Sequence, residues 1–383
     1  MSAVIAFMFG AFIGSFLNVC IHRLPRNESV VLPPSRCYSC GTHVQWYDNL
    51  PVISYLILRG RCRWCDVKFS PRYLILELVV AAVSGTVVWW ASVSPYAVSP
   101  WLLQAGVDEP IARAIAGAVV LSLAYLLVVS SFIDLEHTII PDEITKPFQA
   151  AAPWLAVGTG VGMSHHNLFN PQDWLVHLDV FRNAVMTPSH FITIFAVSVA
   201  VALGLLLASL PLARWVYSSF CPPEQRWGEL DHRGFRIGVL WYIAVTVPPT
   251  LAVLALVYFQ PGGPNGWWIM CASQGAMAIY GSLIGWLSLY CVGLLGTMAF
   301  RRNAMGFGDV KFLAPVGAFL GPIGVLYAFF GAAIVGTLVG LPMRLLHKQR
   351  EIPFGPWLAV GAVLALLYGP ELHRLLLGRM AGL

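Results

Sequence analysis

The chain has 383 residues, of which 58% are hydrophobic and 11% are charged. Ordinary soluble domains carry roughly 25% charged residues, so this composition excludes a soluble globular protein and indicates an integral membrane protein. The formal net charge of +5 does not indicate nucleic-acid binding, because the Lys and Arg residues are confined to a few loops beside apolar runs. These runs are unbroken and of helix length, which predicts an all-α polytopic fold rather than a β-barrel.

We predict about ten transmembrane helices. The first covers residues 3–20, and no cleavable signal peptide is expected, because no basic segment precedes it and no small-residue cleavage site follows. A long apolar segment at 312–341 contains Gly321-Pro322, which predicts a short entering helix, a turn and a full span. The other spans are predicted near residues 73–92, 113–133, 143–163, 190–212, 237–259, 275–299 and 354–369.

Basic and non-basic loops alternate along the chain. Loops 93–111 and 260–274 contain no Lys or Arg and 164–189 contains only Arg182, whereas 21–72, 213–236 and 300–311 are basic. Because basic loops stay on the cytoplasmic side, both termini are predicted outside, and residues 21–72 form a cytoplasmic module.

Four cysteines in this module form two C-x-x-C pairs, Cys37/Cys40 and Cys62/Cys65, separated by 21 residues. Each pair can place two thiolates about 2.3 Å from one zinc ion, and two pairs complete a tetrahedral site. A structural zinc would supply folding free energy to a loop with few large apolar residues. Disulfides, redox-active thiols and free thiols are the alternatives, and disulfides are disfavoured in the cytoplasm. The remaining cysteines lack this spacing and are expected to be buried thiols: Cys20, Cys221, Cys271 and Cys291.

Two aspartates stand at the ends of apolar runs. Asp134 ends one run, and Asp309 follows Gly306-x-Gly308, whose glycines let the backbone approach another segment closely. Ionisable groups at this depth are costly and usually line a functional cavity. The even number of predicted spans between the acids brings both to the cytoplasmic side, so we predict that Asp134 and Asp309 face each other.

Two carboxyl groups within about 3 Å share one proton, so that one can activate a water while the other polarises a peptide carbonyl. Such a pair can hydrolyse a peptide without a metal or a covalent intermediate. For either acid alone a solvated helix cap is the alternative, and Asp142 fits an N-cap best. The alternative of a different class is a transporter or channel that uses the acids as a proton or cation relay, although no inverted repeat is evident.

Five motifs, in this order, resemble the type IV prepilin peptidases, also called bifunctional leader peptidase and N-methyltransferase enzymes. The motifs are Gly14-Ser15-Phe16-Leu17-Asn18-Val19 with His22-Arg23-Leu24-Pro25, the paired C-x-x-C motifs, Asp134 with Ile140-Pro141-Asp142, Gly306-x-Gly308-Asp309-x-Lys311, and Pro353-Phe354-Gly355-Pro356.

The resemblance implies an inner-membrane aspartic protease that cleaves prepilin or pseudopilin-like proteins at the cytoplasmic face. Asp134 and Asp309 would be the catalytic pair, and the new N-terminus would be methylated from S-adenosylmethionine. The residues that hold this cofactor are not assigned, because no Gly-rich nucleotide loop follows a strand. Peptidase activity without methylation is the nearer alternative.

The resemblance also suggests a division of the chain, because the family has two spans between the catalytic motifs and this chain is predicted to have four. We expect a first transmembrane helix (1–20), the cytoplasmic tetracysteine module (21–72), helices with the first catalytic Asp (73–163), an inserted region with two extra spans (164–274), and helices with the Gly-x-Gly-Asp motif (275–383).

Overall fold

The computed structural model describes residues 1–94, 102–103, 106–159, 200, 204, 211–212, 215–220, 266–302, 305–347 and 353–380. Within these residues the fold is helical, and the extended pairings are two isolated β-bridges in the cysteine module. The predicted all-α class is therefore confirmed for the described part of the chain. The inserted region at 164–274 falls largely outside it.

Besides a helical segment at residues 215–220, eight α-helices have bounds that fall within the described residues. In order these are α1 (Ser2–Arg23), the short α2 (Ile53–Ile57), α3 (Arg72–Val93), α4 (Glu109–His137), α5 (Asp142–Thr159), α6 (Gly266–Phe300), α7 (Phe307–His347) and α8 (Gly355–Met380). Short 3-10 turns at Leu24–Arg26 and Trp46–Asn49 lie in the connection between α1 and α3.

Five segments of the described helices are long and apolar enough to cross a membrane, so the chain is a multi-pass membrane protein. They are Ser2–Arg26, Arg72–Val93, Glu109–His137, Ala278–Phe300 and Gly308–Gly340, and Gly355–Gly369 is a shorter apolar helix. The predicted number of about ten is not confirmed. The predicted spans 190–212 and 237–259 lie almost wholly outside the described residues, and α5 begins with charged side chains that keep it out of this group.

Helix α4 joins two apolar clusters. Val129 and Ile133 pack with residues of α1 and α3, whereas Leu123, Leu126 and Leu127 pack into a larger cluster built from α5, α6, α7 and α8. In the larger group α7 lies between α6 and α8. The end of α4, just beyond Ile133, is therefore fixed from both sides by packing.

Helices α6 and α7 approach closely because glycines face each other. A Cβ on Gly281 would overlap the carbonyl oxygen of Gly317, and a Cβ on Gly317 would overlap that of Gly281. Small residues are what allow such contact between membrane helices, where van der Waals packing replaces the hydrophobic driving force. Helix α7 breaks at Gly321 (φ 69, ψ 177) and resumes at Pro322, which confirms the predicted turn at this place.

The glycine contact predicts a position-specific loss of stability. Gly317→Ala should lower the thermal unfolding midpoint of the purified protein in detergent, because overpacking of this kind costs about 1–3 kcal/mol. Gly331→Ala in the same helix is the matched control, since its new Cβ would meet Gly361 Cα at 3.5 Å, an ordinary contact. Equal midpoints for the two variants would contradict the packing described here.

Candidate active site

Asp134 lies in the last turn of α4 and is 5% exposed. The helix ends at Thr138 in the left-handed region (φ 52), and the Thr138 N–H donates to the Asp134 carbonyl at 2.9 Å. The carboxylate Oδ2 accepts a hydrogen bond from the Gly355 N–H at 2.8 Å. Gly355 is the first residue of α8, so the Asp134 carboxylate lies at a helix N-terminus, where unpaired N–H groups and the helix dipole favour an anion.

Gly355 has no room for a side chain. A Cβ at this position would lie 2.7 Å from Asp134 Oδ2 and 3.2 Å from its Cγ. The Pro353-Phe354-Gly355-Pro356 motif thus has a structural reason, because only glycine lets the start of α8 reach the carboxylate.

Asp309 lies in the first turn of α7 and is half-buried. The start of α7 lies against the segment that follows Asp134 in the chain, so the two segments that carry the acids are adjacent. That the two carboxyl groups face each other stays a prediction. Gly308 makes the contact between the two segments possible, since a Cβ there would lie 3.2 Å from Ile140 Cβ and 3.3 Å from Ile140 N, tighter than most real contacts.

A pair of charges holds the two aspartate-bearing segments together. Lys311 Nζ donates to Asp142 Oδ1 at 2.5 Å, and Lys146 Nζ lies 2.7 Å from Asp142 Oδ2. Gln149 Nε2 donates to the Lys311 carbonyl at 2.7 Å. Burial would raise the pKa of Asp142, but the hydrogen bonds and charges of the two lysines outweigh it and lower the pKa.

The interpretation of Asp142 as an N-cap is therefore wrong. Helix α5 begins at Asp142 itself, and the carboxylate is used for the two ammonium groups. A signal was present in the sequence, because an acid in one motif and a lysine in the other are complementary. Only the fold shows that they meet.

Glu136 connects the aspartate site to the cysteine module. Its carboxylate pairs with the guanidinium of Arg72, the first residue of α3, and lies 3.9 Å from His137 Nε2. Because Arg72 is the last residue of the module, the module lies at the end of α4 that carries Asp134.

The four cysteines of the module converge, with their Sγ atoms all within 4.8 Å of one another. The Sγ atoms of Cys37 and Cys65 are 3.7 Å apart. In a tetrahedral zinc–thiolate site with bonds of about 2.3 Å, the sulfur atoms are about 3.8 Å apart, so this donor set fits zinc. No disulfide links these four cysteines, which are free thiols in the structure.

The two C-x-x-C loops have the same backbone conformation. The Cys37 N–H donates to the Thr42 carbonyl and the Gly41 N–H to the Cys37 carbonyl. The second loop repeats both bonds, from Cys62 to Val67 and from Asp66 to Cys62. Each loop ends in a left-handed residue, Gly41 or Asp66, and an isolated β-bridge flanks it. Two matching knuckles therefore present their thiols to one point.

The cluster thiols differ in acidity. Hydrogen bonding with Thr42 lowers the pKa of Cys40 to about 6, and backbone N–H groups of Cys65 and Trp64 lower the pKa of Cys62. A hydrogen bond with the Val67 backbone would lower the pKa of Cys65, but burial and the neighbouring thiols outweigh it and raise this pKa to about 11. A metal-binding cysteine must be a thiolate, so the lowered pKa values of Cys40 and Cys62 suit ligands.

The cysteines outside the cluster behave differently from one another. Cys20 is buried as expected, whereas Cys291 is exposed on α6, so the expectation of burial was wrong there. A thiol on the outer face of a membrane helix can face lipid without cost. Cys221 and the side chain of Cys271 lie outside the described part of the chain.

Comparison with known proteins agrees with this geometry. Residues 8–91 match the bacterial peptidase A24 N-terminal domain, and residues 241–341 match the type IV leader peptidase family. No solved structure matches the chain significantly.

Several relatives carry the name prepilin leader peptidase/N-methyltransferase, among them proteins of Myxococcus xanthus, Pseudomonas aeruginosa and Stutzerimonas stutzeri. The Myxococcus xanthus protein is 28% identical over 385 residues, covering 98% of this chain and 92% of its own length. The Pseudomonas aeruginosa protein is 24% identical with 96% and 90% covered, and the Stutzerimonas stutzeri protein is 25% identical with 96% and 91% covered. Two segments of the chain match models of the peptidase A24 and type IV leader peptidase families, and these relatives match it almost end to end, so the chain is similar to the type IV leader peptidases over nearly its whole length.

Proposed function

We propose that this protein cleaves the leader peptide of prepilin or pseudopilin-like substrates at the cytoplasmic face of the inner membrane and methylates the new N-terminus. The observation that carries the proposal is that the segments bearing Asp134 and Asp309, from two separate motifs, are held against each other by the Asp142–Lys311 ion pair and by the close approach of Gly308 to Ile140. The names of the relatives supply the substrate class and the second activity.

The hydrogen bonding suggests a role for each aspartate in peptide hydrolysis. Asp134 accepts a hydrogen bond from the Gly355 N–H, and a hydrogen bond of this kind stabilises the ionised form of a carboxyl group. Asp134 is therefore suited to act as the base that takes a proton from water. No hydrogen bond to Asp309 is found within the described residues, so Asp309 is the better candidate to hold the shared proton and donate to the scissile carbonyl.

The location of the pair suits a substrate whose apolar helix lies in the bilayer. The pair lies at the module end of the helices, as the Arg72–Glu136 ion pair requires. If the module is cytoplasmic, as its basic residues predict, a substrate can present its polar leader to the acids without moving it across the membrane.

We also propose the division of the chain given above, with residues 21–72 as the module and 164–274 as an insert.

Two further groups belong to the proposal. Zinc would be held by Cys37, Cys40, Cys62 and Cys65, where it would stabilise the module, and S-adenosylmethionine would supply an electrophilic methyl group.

The alternative function is a transporter that uses the same acids as a proton relay. The two functions are distinguished in detergent, where no gradient exists, because a peptidase still cuts its substrate there.

Loss of either carboxylate should abolish cleavage. Asp134→Asn and Asp309→Asn should each reduce prepilin processing in detergent at least about a hundredfold. The two carboxylates act as one catalytic unit, so the loss of either one removes most of the activity. Asp108→Asn, at the opposite end of α4, is the control that removes the same charge elsewhere. Near-normal processing by either dyad variant, purified free of wild-type enzyme, would show that the assignment is wrong.

The purified protein should contain one zinc ion per chain by elemental analysis. Cys40→Ser should release most of it and make residues 21–72 more sensitive to protease, because the metal contributes folding free energy. Cys291→Ser, outside the cluster, should keep the full zinc content. A zinc-free wild-type protein whose intact mass shows disulfides would refute the metal site.

A further inference from the structure

A second cleft lies where the cysteine module rests on the ends of α1 and α3. It encloses about 200 Å³. Neither Asp134 nor Asp309 lines it, so it is separate from the aspartate pair. Its walls come from both helices and from the module, and they include Ser15, Asn18, Tyr55, Phe69, Tyr73 and Glu77.

Glu77 is a buried acid on the helix side of this cleft, with 8% of its surface exposed. Its Oε2 accepts the Val52 N–H at 2.8 Å, and the Ser15 side chain also hydrogen-bonds to it. No Lys or Arg forms an ion pair with Glu77 in the described part of the chain. Burying a carboxylate without a cation costs free energy, so this cleft is suited to a ligand that carries a positive charge or hydrogen-bond donors.

The backbone at Val52 supports this interpretation. Val52 has φ 63 and ψ −50, a conformation that is strained for a β-branched residue. Strain of this kind persists only where surrounding structure enforces it, and it is concentrated at functional sites. Here the strained residue is the one whose N–H reaches Glu77.

Asn18 adds an unsatisfied acceptor to the same wall. It is 5% exposed, and its Nδ2 donates to the Tyr73 carbonyl at 3.1 Å, but its Oδ1 has no partner. Buried polar atoms almost always have a partner, so the missing one is expected from a ligand. Gly14 allows α1 to approach α3 closely at this wall, since a Cβ on Gly14 would lie 2.8 Å from Glu77 Cα. The Gly14-Ser15-Phe16-Leu17-Asn18 motif thus forms one side of the cleft.

Aromatic rings supply the apolar part of the cleft. Tyr55 and Phe69 come from the module, where the Tyr55 hydroxyl donates to the Phe69 carbonyl at 3.3 Å, and Tyr73 comes from α3. Such rings can stack on a planar base and can attract a cation to their faces. Arg36 and Arg61 also line the cleft; Arg61 is paired with Asp66, so Arg36 is the better candidate to meet a ligand carboxylate.

We propose that this cleft binds S-adenosylmethionine, an inference that rests on the proposed methyltransferase function. The ligand carries a sulfonium, an ammonium and ribose hydroxyls to suit Glu77 and Asn18, and an adenine to suit the aromatic rings. The volume is below the roughly 300–1,000 Å³ of pockets that enclose a drug-sized ligand, so one end of the cofactor stays outside. A methyl donor must remain accessible to its acceptor.

The cleft is close to the place where the acceptor amine would form. Tyr73, which lines it, directly follows Arg72, whose guanidinium pairs with Glu136. Glu136 is two residues from Asp134 in the chain. A newly cut N-terminus would therefore need only a short movement from the aspartates to the cleft.

The test is equilibrium binding of S-adenosylmethionine and S-adenosylhomocysteine to the full-length, zinc-loaded protein in detergent. Glu77→Gln keeps the shape of the side chain and removes its charge, and it should raise Kd at least tenfold. Glu28→Gln removes an exposed charge outside the cleft and should bind as the wild type does. Zinc content and prepilin cleavage of the same preparations report whether each variant is folded.

Three outcomes are informative. If the wild type methylates prepilin but Glu77→Gln binds as tightly as the wild type, the cleft is wrong and the proposed function stands. If the wild type neither binds the ligands nor methylates, the methyltransferase function fails and this inference fails with it. If Glu77→Gln does not fold, photo-crosslinking of an azido-adenosyl analogue to the wild type decides. Labels within residues 15–77 support the cleft, and labels confined to other segments overturn it.

Discussion

The structure depends most on one hydrogen bond, from the N–H of Gly355 at the start of α8 to the carboxylate of Asp134 at the end of α4. It places a buried acid against a helix N-terminus and so provides a partner for a charge that the membrane environment would otherwise disfavour. Because α4 also packs against both apolar clusters, the position of this acid is fixed by the whole bundle. Asp309 lies in the first turn of α7, which contacts the segment that follows Asp134.

The glycines serve this arrangement by allowing close approach. Gly308 lets the start of α7 contact Ile140, Gly355 lets α8 reach Asp134, and Gly281 with Gly317 presses α6 against α7. The Asp142–Lys311 ion pair holds the same two segments by charge. Packing and electrostatics therefore act on the same few turns of helix, which is what a site with two mutually repelling carboxylates requires.

Much of this was predictable from local patterns. The apolar runs predicted the ends of α1, α3 and α4 to within a few residues, and Gly321-Pro322 predicted the break in α7. The C-x-x-C spacing predicted that the four thiols converge. The Gly355–Asp134 bond was not predictable, because it joins positions 221 residues apart, and the Pro353-Phe354-Gly355-Pro356 motif does not indicate which acid its backbone N–H meets. Nor was the exposure of Cys291, since burial rules from soluble proteins lose their meaning where a helix face meets lipid.

We propose that two aspartates from distant motifs share one site at the cytoplasmic face, and this requires that both be reached from the same side of the membrane. Single cysteines at Ile139 beside Asp134, at Arg302 before Asp309 and at Asp108 would be treated with an impermeant thiol reagent in intact cells and read by peptide mass. We expect the first two to be protected until the cells are permeabilised, and the third to be labelled at once. Labelling of the Ile139 and Arg302 sites from opposite sides of the membrane would mean that Asp134 and Asp309 cannot form one active site.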